Sequence, residues 1–222
     1  MKKIITIDGP AASGKTSVSR ELSKRLGTGW EWVSTGAFYR GLAYVASELN
    51  YDLNHEENLA KLALDPVWEV RSSLESTHVF FKNQDVTREI SRDDMGSKAS
   101  QVSFHQKVRE ALLSGQRRCA EGKEGLIAEG RDCGTVVFPE AFAKIYITAS
   151  HENRATRRAQ ELGMSKDLTL ESQKQRDHQD THRTVAPLQI PEGALVIDST
   201  ELSLFEVVDA AESFVRQKLQ TL

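Results

Sequence analysis

Short apolar runs alternate with amphipathic segments along most of the chain. Lys3 to Ile7 is an apolar run rich in isoleucine, and a helix-like stretch follows from Thr16 to Leu26. Within that stretch apolar residues recur every four positions, at Val18, Leu22 and Leu26. The pattern predicts a strand, a loop and a helix. Three later runs predict buried strands, each followed by a helix-like segment: Gly125 to Ala128, Ala143 to Thr148 and Ala194 to Ile197. Strands that alternate with helices indicate an α/β protein with a central parallel sheet flanked by helices.

Residues 67–90 interrupt this alternation. Three short strand-like pieces lie there, separated by turn residues such as Asn83-Gln84: Trp68 to Arg71, Val79 to Phe81 and Val86-Thr87. We therefore predict a small antiparallel β insert. Elsewhere, two helix starts carry the spacing of a capping box, Asn54-x-x-Glu57 and Ser203-x-x-Glu206, and the second opens a long amphipathic C-terminal helix.

The segment from Asn153 to Arg183 is rich in Arg, Gln, Asp and His and poor in large apolar residues. We expect it to be helical, solvated and mobile. Its cations cluster by helical spacing, with Arg154, Arg157 and Arg158 on one face and Arg176, Asp180 and Arg183 on another. Like charges on one face repel, so an acidic partner or a phosphate is expected opposite them. A solvated face is the alternative interpretation.

Length, charge and cysteine content narrow the class of protein. A chain of 222 residues with no repeat or linker is most simply one domain. The net charge of −3 argues against nucleic acid as a partner. The two cysteines suit a reducing compartment. Asp8 ends the first apolar run far short of a signal core or membrane span. We expect a cytoplasmic protein, without a membrane partner.

The sequence between the first strand and the first helix fits the Walker A pattern G-x-x-x-x-G-K-[ST]. Its residues are Gly9, Pro10, Ala11, Ala12, Ser13, Gly14, Lys15 and Thr16. In this motif backbone amides wrap a phosphate, and the following helix presents the positive end of its dipole. Lys15 is expected to reach the β- and γ-phosphates, and the Thr16 hydroxyl to ligate Mg²⁺. We therefore predict a nucleoside triphosphate bound with Mg²⁺.

Several uses of a triphosphate are open to such a chain. A GTPase would need Asn-Lys-x-Asp, and the nearest string, Lys82 to Asp85, has the wrong order. A motor ATPase would carry a full Walker B strand, of which Leu126 to Glu129 is a shortened version ending in Glu. A small-molecule kinase needs less, because the protein mainly positions its substrates and neutralises charge. Ser34-Thr35 offers a hydroxyl to cap a helix, with Arg40 on the first turns that follow, and Arg131 lies at the carboxyl end of a strand. Both arginines suggest an anionic acceptor.

Motifs along nearly the whole chain resemble those of bacterial cytidylate kinases, of the P-loop nucleoside monophosphate kinase family. The matching stretches are Ile5 to Pro10, Thr35 to Arg40, Ala99 to Ser103, Val108 to Leu112, Gly130 to Pro139, Gln175 to Asp177, Val185 to Leu188 and Asp198 to Thr200. The resemblance implies one P-loop kinase domain over residues 1–222. It also implies a monophosphate-binding insert at about residues 64–95 and a helical lid at about residues 153–170. The implied reaction is transfer of a phosphoryl group from ATP, with Mg²⁺, to CMP or dCMP. We further expect the protein to be a monomer.

The resemblance also assigns roles to residues of this sequence. It implies phosphate clamps at Arg40, Arg131 and Arg183, base contacts at Ser100, Arg109 and Asp132, and ribose and phosphate contacts at Arg176 and Asp180. Thr35 is a further acceptor contact. Ser17, Arg154, Arg157 and Arg158 join the phosphate loop on the ATP side, and Lys15, Arg131 and Arg183 are the catalytic cations. Cytosine presents an N4 amino donor beside two acceptors, so a carboxylate, an arginine and a hydroxyl complement it.

A few positions differ from the family pattern. Ser34 and Glu129 each replace a common Asp, and Gln179 and Thr181 lie where charged residues are frequent. Cys133 follows Asp132 where Met or Ile is common, and we interpret it as a small buried hydrophobic residue. Two other functions remain open: a kinase for another small acceptor such as UMP or a metabolite acid, and a catalytically silent nucleotide-binding module.

Overall fold

The computed structural model of the chain describes residues 3–163 and 165–221. Met1, Lys2 and Leu222 lie outside this range, and so does Met164, which falls within the predicted lid. The strands are β1 Lys3–Asp8, β2 Trp30–Ser34, β3 Trp68–Ser72, β4 Thr77–Phe81, β5 Gln84–Asp85, β6 Gly125–Gly130, β7 Ala143–Thr148 and β8 Leu195–Asp198. The helices are α1 Lys15–Leu26, α2 Gly36–Glu48, α3 Glu56–Ala63, α4 Thr87–Ile90, α5 Asp93–Ser103, α6 Gln106–Arg118, α7 His151–Leu162, α8 Lys166–His182 and α9 Leu204–Leu219, with a π-helical turn at Cys133–Val137.

A five-stranded parallel sheet forms the centre of the fold, in the order β2-β6-β1-β7-β8. The α/β prediction is confirmed, and so are the four predicted strands of this sheet. The strand β2 was not predicted from the sequence. Its residues are mostly buried, but Glu31 interrupts the apolar run and the strand has only five residues. Because all five strands are parallel, their carboxyl ends meet at one edge.

Helices cover both faces of the sheet. On one face α1 and α9 pack against Ile5, Ile7 and Ile145. On the other face α2, α3 and α6 form a second core cluster that also includes Trp68 and Val79 of the insert. Both faces are therefore apolar, which explains why the strands lack an alternating polar pattern.

The predicted antiparallel insert is confirmed as a three-stranded sheet in the order β3-β4-β5. Lys82 and Asn83 both have positive φ, as a two-residue hairpin turn requires, and they connect β4 to β5. The third predicted strand, Val86-Thr87, is wrong. Thr87 instead begins the short helix α4, and its amide is held by the Asp85 carboxylate at 2.9 Å.

One of the two predicted capping boxes forms. Ser203 and Glu206 cap α9 reciprocally. The predicted cap at Asn54 is wrong, because His55 caps α3 by accepting a hydrogen bond from the Asn58 amide. The Asn54 side-chain oxygen instead accepts a hydrogen bond from Gln101 at 2.8 Å, which draws it away from the helix.

Residues 151–182 form a helical hairpin of α7 and α8. Gly163 ends α7 in the left-handed conformation, and the Ser165 side chain caps α8. The predicted helices are therefore confirmed. No helix among residues 3–163 and 165–221 has the length and apolar character needed to span a membrane.

The turn from β1 into the phosphate loop depends on Gly9. Its φ is +150°, and a Cβ added there would overlap the carbonyl oxygen of Ile147 on β7. We therefore expect Gly9→Ala to lower the free energy of unfolding by more than about 3 kcal/mol, because backbone cannot move aside as a flexible side chain can. Gly122→Ala is the control, since Gly122 also has positive φ but faces open space, and should cost about 1 kcal/mol. Equal losses of stability in urea unfolding would contradict this account.

Candidate active site

The phosphate loop lies between the end of β1 and the start of α1. Gly14 precedes α1 in the left-handed conformation, and Ala12 also has positive φ, at 56°. Gly14 offers no side chain to cap the helix, and the first turn of α1 contains no acidic residue. The amides at this helix terminus are therefore suited to an anion. This is the geometry that the Walker A pattern predicts.

Lys15 is buried beneath the loop. Its Nζ donates to Pro10 O at 2.6 Å and lies 3.4 Å from Ser13 Oγ. Burial lowers the pKa of Lys15 to about 7, and repulsion from Arg131 acts in the same direction. Negative charge at the loop would restore the ammonium form, so the site favours a bound phosphate.

Thr16 and Glu129 bring oxygen ligands together at the foot of the loop. The Thr16 hydroxyl donates to Glu129 Oε1 at 2.9 Å. Glu129 is buried at the end of β6, and its Oε2 has no hydrogen-bond partner among the residues described. A hydroxyl beside a buried carboxylate fits the oxygen donors that Mg²⁺ prefers. The sequence analysis assigned this role to Thr16 alone; the position of Glu129 at a strand end was the available signal.

Asp132 forms the centre of a second cluster, at the carboxyl end of β6. It makes a buried ion pair with Arg109 of α6, and Arg183 Nη2 lies 3.6 Å from its other oxygen. Arg109 also stacks over Tyr39, with its guanidinium carbon 5.3 Å from the ring centre. The structure therefore brings together three predicted acceptor residues. The Ser100 hydroxyl instead donates within its own helix, to Gly96 O at 3.2 Å.

Arg131 and Asp180 connect the sheet to α8. Arg131 Nε donates to Asp180 Oδ2 at 2.7 Å. Burial alone would lower the pKa of Arg131, but attraction from Asp180 raises it above its ordinary value. Arg183 lies just after the last turn of α8, as its C-cap. Both arginines therefore reach the sheet edge and are held there by carboxylates.

Arg40 lies on α2 among other cations. Burial lowers its pKa to about 10, and repulsion from Arg158, Arg176 and Arg131 adds to the effect. Four arginines from α2, α7, α8 and the strand end thus converge. This crowding indicates a place for a multiply charged anion. Arg176 additionally donates to Ser97 Oγ at 3.4 Å.

Thr35 has a structural contact that the sequence did not suggest. We predicted that Ser34-Thr35 would cap α2 through a hydroxyl, and that expectation is wrong. Thr35 is the residue before α2, but its side chain makes no capping hydrogen bond. Its amide and its hydroxyl both donate to Glu129 O, each at 2.9 Å, and so connect α2 to β6.

The arginines of α7 point to different partners. Arg154 is buried and donates to Ala11 O in the phosphate loop at 3.0 Å, while pairing with Asp177 at 2.6 Å. Arg157 donates to Ser199 O at 2.6 Å. The expected acidic partner is therefore present for Arg154. Much of the segment is exposed, as expected, but the expectation of a solvated face is wrong for Arg154, Asp177 and Asp180, which are all at most 8% exposed.

Asp8 is a buried carboxylate that the sequence analysis did not select. Its Oδ1 accepts the Cys133 amide at 2.8 Å, and its Oδ2 accepts the Gly134 amide at 2.7 Å. Burial raises the pKa of Asp8 to about 6, although both amide hydrogen bonds act to lower it. Cys133 itself is fully buried in the core, and burial raises the pKa of its thiol, as its interpretation as a hydrophobic residue predicts.

Comparison with known proteins supports one family. The sequence profile described as Cytidylate kinase matches residues 5–217, nearly the whole chain. The chain belongs to the cytidylate kinase family. A cytidylate kinase of Bdellovibrio bacteriovorus is 58% identical over 219 residues, covering 99% of this chain and 100% of that protein. One from Vibrio cholerae is 41% identical over 221 residues, covering 97% of each chain.

Solved structures agree on the fold of this cytidylate kinase family member. The crystal structure of a gluconokinase from Sinorhizobium meliloti superposes with a TM-score of 0.53 at 13% identity. The match covers 99% of this chain and 95% of that chain. At this identity the likeness supports the kinase fold and nothing finer.

The raised pKa of Asp8 predicts a pH-dependent contribution to stability. Its folded value of about 6 exceeds the ordinary 3.8, so folding takes up a proton between these values. The parent should therefore gain stability relative to Asp8→Asn as pH falls from about 7 to about 4, by up to about 3 kcal/mol. Urea unfolding of both proteins across this range measures the difference, in which groups that do not interact with Asp8 cancel. A difference that stays constant or shrinks with falling pH would contradict the assignment.

Proposed function

We propose that this chain transfers the γ-phosphoryl group of ATP directly to CMP and dCMP, forming CDP and dCDP, in pyrimidine nucleotide metabolism. The main observation in support is the buried Arg109–Asp132 pair with Arg183 beside it. Asp132 directly follows Arg131 at the end of β6, the strand next to the one that leads into the phosphate loop. A carboxylate can accept the cytosine N4 amino group, and arginine can donate to the ring acceptors. Membership of the cytidylate kinase family supports the same substrate.

On the donor side, the loop from Gly9 to Thr16 and Ser17 hold the ATP phosphates. Arg154, Arg157 and Arg158 of α7 lie beside the donor, and Arg154 already contacts the loop carbonyl of Ala11. Thr16 and Glu129 would hold Mg²⁺, directly or through water. When bound, Mg²⁺ neutralises the charge of the phosphates.

On the acceptor side, the residues divide by the part of the nucleotide they meet. Arg40, Arg131 and Arg183 hold the monophosphate. Ser100, Arg109 and Asp132 face the cytosine, Arg176 and Asp180 the ribose, and Thr35 completes the acceptor site. Ser100 and Thr35 would need to exchange the hydrogen bonds they now make, to Gly96 O and Glu129 O respectively, for contacts with the nucleotide.

The chemistry needs charge stabilisation more than proton transfer. The acceptor phosphate has a second pKa of about 6 and is ionised at neutral pH, so no general base is required. Lys15, Arg131 and Arg183 spread the charge of the transferred phosphoryl group. Residues 64–95 form the monophosphate-binding insert, and residues 153–170 the lid that excludes water on closure.

The remaining expectations concern the oligomeric state, the location and the partners of the protein. We propose that it acts as a monomer in the cytoplasm, without a nucleic-acid or membrane partner. Cys119 and Cys133 are both free thiols, which suits a reducing compartment.

Removing Lys15 tests the donor site. Lys15→Ala should lower turnover with ATP and CMP at least roughly a hundredfold, because a cation that stabilises the transferred phosphoryl group is lost. Lys24→Ala is the matched control, since Lys24 is exposed on the same helix. Turnover of Lys15→Ala within about tenfold of the parent would refute the assignment.

Substitutions of the adjacent residues Arg131 and Asp132 should have different effects on substrate preference. UMP has a carbonyl where CMP has the N4 amine, so a facing carboxylate disfavours UMP by roughly tenfold to a hundredfold. In Asp132→Asn the amide N–H can turn toward that carbonyl, so kcat/KM for CMP should fall and the CMP/UMP ratio of kcat/KM should decrease. Arg131→Ala should lower kcat/KM for both substrates by a similar factor, because both carry the phosphate.

Measuring kcat/KM for CMP and UMP in both variants decides this division of roles. An unchanged ratio in Asp132→Asn would show that Asp132 does not face the base. A larger change of the ratio in Arg131→Ala than in Asp132→Asn would reverse the two assignments.

A further inference from the structure

The carboxylate of Asp8 holds the loop that carries Arg131 and Asp132. Asp8 is the last residue of β1, and Gly130 lies beside it on β6. Its two oxygens each accept one amide from the first turn of the π-helical segment, at 2.8 Å and 2.7 Å. These amides belong to Cys133 and Gly134, which directly follow Asp132. The direction in which the chain leaves β6 is therefore fixed by Asp8.

The same residue adjoins the donor site. Gly9, the first residue of the phosphate loop, follows Asp8 directly, and Gly9 is fixed by its close approach to Ile147. The charge of Asp8 also acts on Lys15, whose pKa it raises in opposition to burial. One fully buried side chain thus connects the phosphate loop to the segment that bears the acceptor residues.

We propose that Asp8 is a positioning residue for the acceptor nucleotide, which sets the orientation of Asp132 by binding the Cys133 and Gly134 amides. This inference rests on the proposed function of Asp132 in facing cytosine. Asp132 precedes the π-helical turn with φ of −142°, and its carbonyl accepts the Val136 and Val137 amides at 2.9 Å and 3.1 Å, so it is tied to that turn. Asp8 holds the first two amides of the same turn, and the orientation of Asp132 therefore depends on where Asp8 holds them.

Stability alone does not account for a carboxylate at this place. Burial outweighs the two amide hydrogen bonds, because the pKa of Asp8 is raised rather than lowered. The ionised form is therefore disfavoured by folding, and nearby Asp132 adds repulsion. A neutral side chain would avoid this cost, but it could not accept two amides in a bidentate manner. An asparagine has one acceptor oxygen and would present its NH₂ group to the second amide.

Asp8→Asn tests the proposal, with Thr6→Val as the matched control. Thr6 lies two residues earlier on the same strand, is fully buried, and its hydroxyl has no hydrogen-bond partner among the residues described. The measurement is kcat/KM for CMP and for UMP, with KM for ATP. We expect Asp8→Asn to lower the CMP/UMP ratio at least tenfold and to raise KM for CMP, while KM for ATP changes less than about threefold. Thr6→Val should keep the parent ratio.

The ratio separates positioning from a merely structural role. A loss of folded enzyme lowers both values of kcat/KM by the same factor and leaves their ratio unchanged, so an unchanged ratio in Asp8→Asn would overturn the proposal. If Asp8→Asn cannot be obtained as folded protein, the CMP/UMP ratio of kcat/KM is measured on Asp8→Glu, which keeps both acceptor oxygens but displaces them. Loss of fold in both variants would assign Asp8 to folding and also overturn it. A parent enzyme without CMP preference would instead refute the proposed function.

Discussion

Positive charge gathered at one edge of the sheet is the constraint on which the rest of the site depends. Arginines from α2, α6, α7 and α8 meet Lys15 and Arg131 there, largely out of water. Carboxylates compensate part of this charge, in three contacts: Arg109 with Asp132, Arg131 with Asp180, and Arg154 with Asp177. Two of these carboxylates lie on α8. Arg131, which anchors α8 through Asp180, is also a proposed ligand of phosphate. Under the proposed function, a nucleotide that binds Arg131 would compete with Asp180 for the same guanidinium and so couple substrate binding to the position of α8.

The fold was predictable wherever local pattern and burial agree. The strands β1, β6, β7 and β8 are short apolar runs, and α9 carries its capping box, so the sequence alone indicated them. Where a residue distant in sequence competes for a side chain, the local sequence pattern predicted the wrong hydrogen bond. Asn54 bonds Gln101 instead of capping α3, and Thr35 bonds the β6 carbonyl of Glu129 instead of capping α2.

The site was predictable as a set of residue types but not as a set of contacts. The Walker A spacing located the phosphate loop, since the motif depends on local backbone conformation. The pairing of Arg131 with Asp180, 49 positions apart, depends on how α8 packs against the sheet. Asp8 was not selected as a site residue, and Glu129 was noted only as the end of a shortened Walker B strand, without a metal-binding role. Each is a single acid at a strand end, and the fold shows that it is buried against amides or a hydroxyl.

The charge at this edge of the sheet serves phosphoryl transfer between two nucleotides, and not hydrolysis of one. The most direct measurement is ADP formation from ATP and Mg²⁺, alone and with CMP, dCMP, UMP or AMP. We expect little ADP without an acceptor, and rapid ADP formation with CMP or dCMP, matched one for one by CDP or dCDP. Equal ADP formation with and without an acceptor, or a clear preference for AMP, would contradict it.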